Sequence, residues 1–109
     1  MTDLLAQIDS RRDDLVALTQ DLIRIPTVNP PGDNYREICD FVAARLKPRF
    51  PQIEVLRAEG AIGDTDKYPR WNIIARAPGK SAGETVHFNS HHDVVETGSG
   101  WTTDPFGGE

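Results

Sequence analysis

The sequence predicts an α/β chain in which two N-terminal helices pack on a small mixed sheet. Apolar residues recur at spacings of three and four in the first half of the chain, as on one face of a helix. After Pro48 the pattern changes to short extended stretches, separated by turn-forming residues. The order helix, helix, strand, strand, strand is typical of helices that cover a sheet.

The first helical segment precedes Pro26, which lacks an N–H group and ends the helix. Arg11 interrupts its apolar face, so we expect a break near Ser10, with Ser10 as the N-cap of the helix that follows. The apolar face itself is formed by Leu4, Ile8, Leu15, Leu18, Leu22 and Ile25.

The second helix is expected to begin near Asp33–Asn34, after the turn-rich stretch TVNPPGDN. Asn34 is predicted as its N-cap, and Glu37 would complete a capping box. Cys39, the only cysteine, is predicted to be a small buried apolar residue. A single cysteine excludes an intrachain disulfide and a thiolate zinc cluster. The apolar stripe consists of Ile38, Phe41, Val42 and Leu46.

Three strands are predicted at 53–56, 71–77 and 84–95, the last two joined as a hairpin by the loop PGKSAG. The charged stretch at 57–70 is expected to be a solvated loop, and Arg24 and Arg70 to be solvated or salt-bridged. The last strand is the longest, and such a strand normally lies inside a sheet. Left unpaired, it is expected to drive self-association of the chain.

Composition narrows the class of partner. Lys and Arg number 12 against 17 Asp and Glu, a net charge of −5, and no basic cluster indicates a nucleic-acid partner. The N-terminus carries acids where a signal peptide carries bases. No stretch reaches the roughly 20 apolar residues of a membrane span. We therefore expect a cytoplasmic protein that binds neither nucleic acid nor membrane.

The stretch SHHDVV contains the residues best suited to chemistry. In a strand, His91 and His92 point to opposite faces and cannot chelate one ion, whereas His91 and Asp93 share a face. A carboxylate that bonds one imidazole nitrogen fixes the tautomer and leaves the other nitrogen for a metal. On its own the pattern H-x-D is more typical of polar residues at the surface or at a strand end than of a metal site. His87 is predicted to be a strand histidine with a local partner.

The longer stretch SHHDVVETGSGWTTDPF resembles the first metal-binding motif of the zinc metallopeptidase superfamily of acetylornithine deacetylase, succinyl-diaminopimelate desuccinylase, aminoacylase and glutamate carboxypeptidase. LIRIPTVNPPGDNY and NIIAR resemble the segments that precede this motif in the family. The resemblance runs in the same order from about Leu15 to Phe106.

The resemblance implies roles for individual residues. His91 matches the histidine that ligates one of two zinc ions. Asp93 matches the catalytic aspartate that orients the site and supports the catalytic base. His92 falls at the variable position between them. Ser90 and Glu96 replace the usual glycine and proline, which leaves the ligand in place but affects the expected turn geometry and substrate preference.

The resemblance also implies what the whole protein does. Residues 1–109 would be the N-terminal portion of the catalytic domain of a larger zinc-peptidase α/β sandwich, without the remaining ligands, the glutamate general base, and the lid and dimerisation domain. The full-length protein would be a homodimer that hydrolyses the amide bond of an N-acyl amino acid or a peptide-like substrate through a metal-bridging water. It would hold two zinc ions, with cobalt as a substitute, whereas the isolated chain is expected to be inactive and not to hold zinc stably.

Two other classes stay open at this point. A non-catalytic binding or scaffold protein could share the fold. A metal-dependent amidohydrolase barrel also uses histidine ligands, but it is disfavoured because such barrels open with H-x-H, which does not occur in this sequence.

Overall fold

The computed structural model describes residues 3–109 and confirms the α/β class. Two compact units are formed, one by the residues up to Pro26 with Thr97–Glu109 and the other by Thr27–Glu96. Within residues 3–109, no helix has the length and apolar character needed to cross a membrane. The elements in chain order are α1 (Leu4–Asp9), α2 (Arg12–Ile23), α3 (Tyr35–Leu46), β1 (Gln52–Arg57) and β2 (Trp71–Arg76).

The expected break near Ser10 separates α1 from α2, but Ser10 does not cap α2. Its backbone is helical, with φ −66° and ψ −14°, and it forms the C-cap of α1. An N-cap residue needs an extended backbone to point its side chain at the following amides. The Ser10 hydroxyl instead donates to the carbonyl of Gln7 at 2.8 Å. The predicted N-cap role is therefore wrong.

In the same unit, the last residues of the chain close against the end of α2. Arg24 Nε donates to the carbonyl oxygen of Gly107 at 3.1 Å, and the Arg24 guanidinium pairs with Asp21 at 3.1 Å. Gly108 has φ +70°, and a Cβ there would lie 2.9 Å from the carbonyl oxygen of Gln20. Only glycine combines this backbone with so close an approach. The ion pair expected for Arg24 is confirmed.

In the second unit, β1 and β2 form an antiparallel ladder that runs from Gln52 opposite Arg76 to Arg57 opposite Trp71. Both strands lie where the alternating pattern predicted them. Helix α3 packs against both strands, and it buries Tyr35, Ile38 and Cys39. Cys39 is fully buried, as predicted. Its pKa is raised to about 11, mainly by burial and to a smaller extent by the charge of Asp40.

The start of α3 differs from the expectation. The helix begins after Asn34, but this residue has a left-handed backbone with φ 56°, and its side chain makes no capping hydrogen bond. The capping box predicted for Asn34 and Glu37 requires an extended N-cap residue, so that prediction is wrong.

The third predicted strand, 84–95, is not formed. Residues 84–93 lie in no ladder, so the hairpin expected between 71–77 and 84–95 is absent. Within residues 3–109, the pairing of this segment is limited to one parallel bridge between Val28 and Val94. A strand needs a neighbour for its amide and carbonyl groups, and β2 pairs with β1 instead.

The loop between the strands is ordered around one carboxylate rather than simply solvated. The side chain of Asp64 is 3% exposed. Its carboxylate accepts hydrogen bonds from Arg57 Nε at 2.9 Å, from the amide of Arg70 at 2.9 Å and from the amide of Gly60 at 3.2 Å. The bond from Arg57 is the largest cause that lowers the Asp64 pKa to about 2. Asp64 therefore fixes the backbone position at which Arg70 enters β2.

Candidate metal-ligand site

The segment that carries His91 and Asp93 is held against residues 27–29. The amide of Asn29 donates to the carbonyl of Val94 at 2.8 Å, and the amide of Val94 donates to the carbonyl of Thr27 at 3.0 Å. The buried hydroxyl of Thr27 also donates to the carbonyl of His92. These bonds place the side chain of Asn29 beside that of Asp93.

His91 and Asp93 are in direct contact, as their expected common face requires. His91 Nδ1 lies 2.9 Å from Asp93 Oδ1 and 3.0 Å from the Asp93 backbone carbonyl oxygen. The side chain of His91 is 83% exposed and that of Asp93 33%. The imidazole thus projects into solvent while one edge is held by the carboxylate.

The partners of His91 determine its tautomer. Both neighbours of Nδ1 are oxygen acceptors, so Nδ1 must carry the proton and donate. In the neutral ring Nε2 then has a free lone pair, and it has no hydrogen-bond partner among residues 3–109. An exposed imidazole with an unprotonated nitrogen is the form that ligates zinc.

Asp93 accepts hydrogen bonds from three side chains. Asn29 Nδ2 donates to Asp93 Oδ2 at 2.9 Å, His91 donates to Oδ1, and Tyr35 also bonds the carboxylate. Together these bonds lower the Asp93 pKa, with Asn29 as the largest cause and partial burial acting against it. The carboxylate is therefore ionised at neutral pH and acts as an acceptor toward all three groups.

Arg70 stands behind Asn29. Its Nη2 donates to Asn29 Oδ1 at 3.3 Å, and its guanidinium carbon lies 5.1 Å from the centre of the Tyr35 ring. Its Nη1 is buried and has no hydrogen-bond partner within residues 3–109. Burial and the charge of Asp93 raise the pKa of Tyr35, which Arg70 opposes. Within residues 3–109 Arg70 forms no salt bridge and is only partly exposed, so its side chain is held mainly by Asn29 and Tyr35.

His92 points inward, on the opposite side from His91. Its Nε2 lies 3.2 Å from the carbonyl oxygen of Trp71 and 3.8 Å from Cys39 Sγ. Its ring meets Tyr35 edge to face, with the ring centres 4.7 Å apart. The carbonyl of Trp71 can only accept, so Nε2 carries the proton, and Nδ1 is a buried acceptor without a partner within residues 3–109. His92 therefore anchors the segment to β2 and α3.

A cavity of about 360 Å³ opens beside these residues and lies within the second unit. Its volume falls in the range of small-molecule sites, about 300–1,000 Å³. His91, Asp93 and Tyr35 lie at its wall with Arg70 and Trp71.

The described residues do not form a complete metal site by themselves. No group of three or more His, Cys, Asp or Glu side chains within residues 3–109 could hold an ion together. The exposed Nε2 of His91 and the carboxylate bound to its other nitrogen fit a single zinc ligand with its supporting acid.

Sequence reasoning found His91 and Asp93 but missed Asn29, Tyr35 and Arg70. Asn29 lies inside the stretch TVNPPG, which carried the resemblance but suggested no role for any side chain. The contacts of Asn29 and Arg70 join positions 41 residues apart, and no local pattern predicts such a pair. His87 is exposed and lies in no strand, so its predicted position in a strand is wrong.

Several known proteins are similar in sequence to most of this chain. The chain is 36% identical over 98 residues to a succinyl-diaminopimelate desuccinylase of Cereibacter sphaeroides, an alignment that covers 88% of the chain and 23% of the relative. It is 40% identical to the desuccinylase of Methylobacterium radiotolerans, over 88% of the chain and 22% of that protein. It is 27% identical to the N-formyl-4-amino-5-aminomethyl-2-methylpyrimidine deformylase of Halalkalibacterium halodurans, over 95% of the chain and 23% of that protein.

No protein-family profile matches the chain, and no solved structure matches it. The chain spans about a quarter of the length of the curated relatives it matches. The resemblance read from the metal-site motif is confirmed: proteins named succinyl-diaminopimelate desuccinylase align with 88% of the chain, which supports an N-terminal fragment of a protein of that peptidase superfamily.

Proposed function

We propose that this chain contributes one zinc ligand and its supporting acid to the active site of a metal-dependent amide hydrolase. The observation that carries the proposal is the pair His91–Asp93, joined at 2.9 Å with the ligating nitrogen of His91 exposed. Relatives named desuccinylase and deformylase support an amide as the bond that is cleaved.

In this proposal, His91 would hold the metal through Nε2, while Asp93 fixes its tautomer and ring orientation through Nδ1. Asp93 acts through His91 and is a positioning residue. Zinc at such a site, or cobalt in its place, lowers the pKa of a bound water and polarises the scissile carbonyl. The other ligands, the second ion and the glutamate base would come from outside residues 1–109.

The substrate is proposed to be an N-acyl amino acid or a peptide-like amide. One relative is named for a succinyl amide of an amino acid and another for a formyl amide of an aminopyrimidine. Both align with most of this chain. We therefore infer that the acyl group is selected by other parts of the full-length protein, which we propose to be a homodimer.

The test uses the full-length protein with zinc or cobalt, assayed on N-succinyl-diaminopimelate, N-acetyl-ornithine and dipeptides. His91→Ala should lower kcat/KM by more than about 100-fold, since even residues that support a ligand cost about 10–100-fold. The matched control is His87→Ala, an exposed histidine four positions away, which should leave the rate unchanged. A wild-type protein that turns over none of these amides would contradict the proposal and favour a binding or scaffold protein.

A further inference from the structure

We infer that Asn29 and Arg70 are positioning residues that orient the Asp93 carboxylate, the side-chain acceptor for His91 Nδ1. The inference rests on the proposed function of His91 as a ligand, but its geometry stands independently. Four side chains form one hydrogen-bonded chain from Arg70 through Asn29 and Asp93 to His91. None of the relatives' names or the sequence motif assigns a role to Asn29 or Arg70.

The direction of each bond is fixed by what the groups can donate. A guanidinium has no acceptor, so the Arg70 Nη2 at 3.3 Å from Asn29 must face the amide oxygen. The amide nitrogen of Asn29 is then turned toward Asp93 Oδ2, 2.9 Å away. With Oδ2 occupied, Oδ1 is directed at His91 Nδ1. The guanidinium thus fixes the orientation of the Asn29 amide, which in turn holds the Asp93 carboxylate in place to accept from His91 Nδ1.

Neighbouring residues leave room for the Arg70 guanidinium and enclose it. A Cβ on Gly32 or on Gly63 would collide with it, and both glycines have a positive φ, of +105° and +80°. The ring of Tyr35 covers it at 5.1 Å, and the bond from the Arg70 amide to Asp64 holds its backbone. Arg70 is therefore enclosed on several sides and cannot swing away from Asn29 without rearranging the loop.

The test is a two-bond ¹⁵N–¹H correlation spectrum of the imidazole rings, recorded without metal on the full chain at a pH where the rings are neutral. Asn29→Asp keeps the shape and the acceptor for Arg70 but replaces the donor to Asp93 with a second carboxylate. Asn29→Leu removes donor and acceptor together. Arg70→Met leaves the amide free to turn, and Arg76→Met, at the far end of β2, is its control.

The wild type should show His91 with its proton on Nδ1. Both Asn29 variants should lower the ratio of the Nδ1–H to the Nε2–H form up to about fivefold, because an Asp93 carboxylate that is no longer held in place loses its hydrogen bond with His91 Nδ1, and Arg70→Met should lower the ratio less. His92 and His87 serve as internal references, since an unchanged His92 signal shows that the fold is intact. Arg76→Met should leave the His91 ratio at the wild-type value.

An unchanged His91 ratio in both Asn29 variants, with His92 unperturbed, would overturn the inference. Should either Asn29 variant fail to fold, Arg70→Met and the remaining variant decide it on the same readout. The proposed function fails separately. If His91→Ala retained full hydrolysis in the full-length protein while the tautomer still followed Asn29, the positioning would hold and the ligand role would be wrong.

Discussion

The stretch predicted as one strand divides into two regions with opposite properties. Residues 84–90 are exposed throughout and lie in no ladder, with Val86 77% and Phe88 90% exposed. Residues 91–94 have the same extended pattern in sequence but are tied to residues 27–29 and 71 by backbone and side-chain bonds. The difference lies in partners rather than in propensity. A segment can thus be fixed by a few specific hydrogen bonds where no sheet holds it.

The largest effect on stability is expected when His92, which anchors the segment, is replaced and His91 is left in place. His92→Ala should reduce the free energy of unfolding by about 2 kcal/mol, because it removes a ring that packs edge to face on Tyr35 and donates to the carbonyl of Trp71. His91→Ala should change it by less than about 0.5 kcal/mol, because that ring is 83% exposed. Urea unfolding followed by circular dichroism measures both. Equal losses for the two variants would contradict the division of roles.

The unpaired region makes a prediction about association. We propose that the chain self-associates through residues 84–90, because their apolar side chains Val86 and Phe88 are exposed to solvent. Phe88→Ser should weaken the association constant about tenfold, since burial of one large apolar side chain is worth at least that much. Thr85→Ser, in the same segment, is the control. Light scattering that finds a monomer at high concentration for the wild type would refute this.

A smaller effect is expected at the hydrogen bond from Thr27 to the carbonyl of His92. Thr27→Val keeps the shape of the buried side chain but removes the hydroxyl that donates to the carbonyl of His92. The free energy of unfolding should fall by about 1 kcal/mol. Hydrogen exchange at the amide of Val94, which donates to Thr27, should accelerate about fivefold. Exchange in β1 at Val55 is the reference, and equal acceleration there would indicate a global effect instead.

These contacts show which parts of the structure the sequence could predict and which it could not. The helices, β1, β2 and the contact of His91 with Asp93 follow local periodicity, which depends on residues two to four positions apart. The strand at 84–93 was mispredicted because alternation describes a face but supplies no neighbour. Asn29 and Arg70 were missed because their roles arise where residues 29, 70 and 93 meet in space. Ser10 and Asn34 were misassigned because residue type alone does not determine the backbone angles of a cap.

A further effect is a pH dependence of stability that arises from Asp64 in the loop at 58–70. The folded pKa of Asp64 is about 2, below its ordinary 3.8. Its ionised form therefore stabilises the fold above about pH 4, and this contribution is lost as the pH falls through about 2. The difference in unfolding free energy between wild type and Asp64→Asn should shrink between pH 4 and pH 2. A difference that stays constant in urea titrations across this window would contradict the assignment.

The central claim is that adjacent histidines have opposite duties, with His91 presenting a bare Nε2 to solvent and His92 using its Nε2–H to hold the segment. The most direct measurement is the ring nitrogen spectrum of the wild-type chain at a pH where both rings are neutral. The account predicts opposite tautomers, with the proton on Nδ1 in His91 and on Nε2 in His92. The same tautomer in both rings, or free exchange between the two forms in His91, would contradict it.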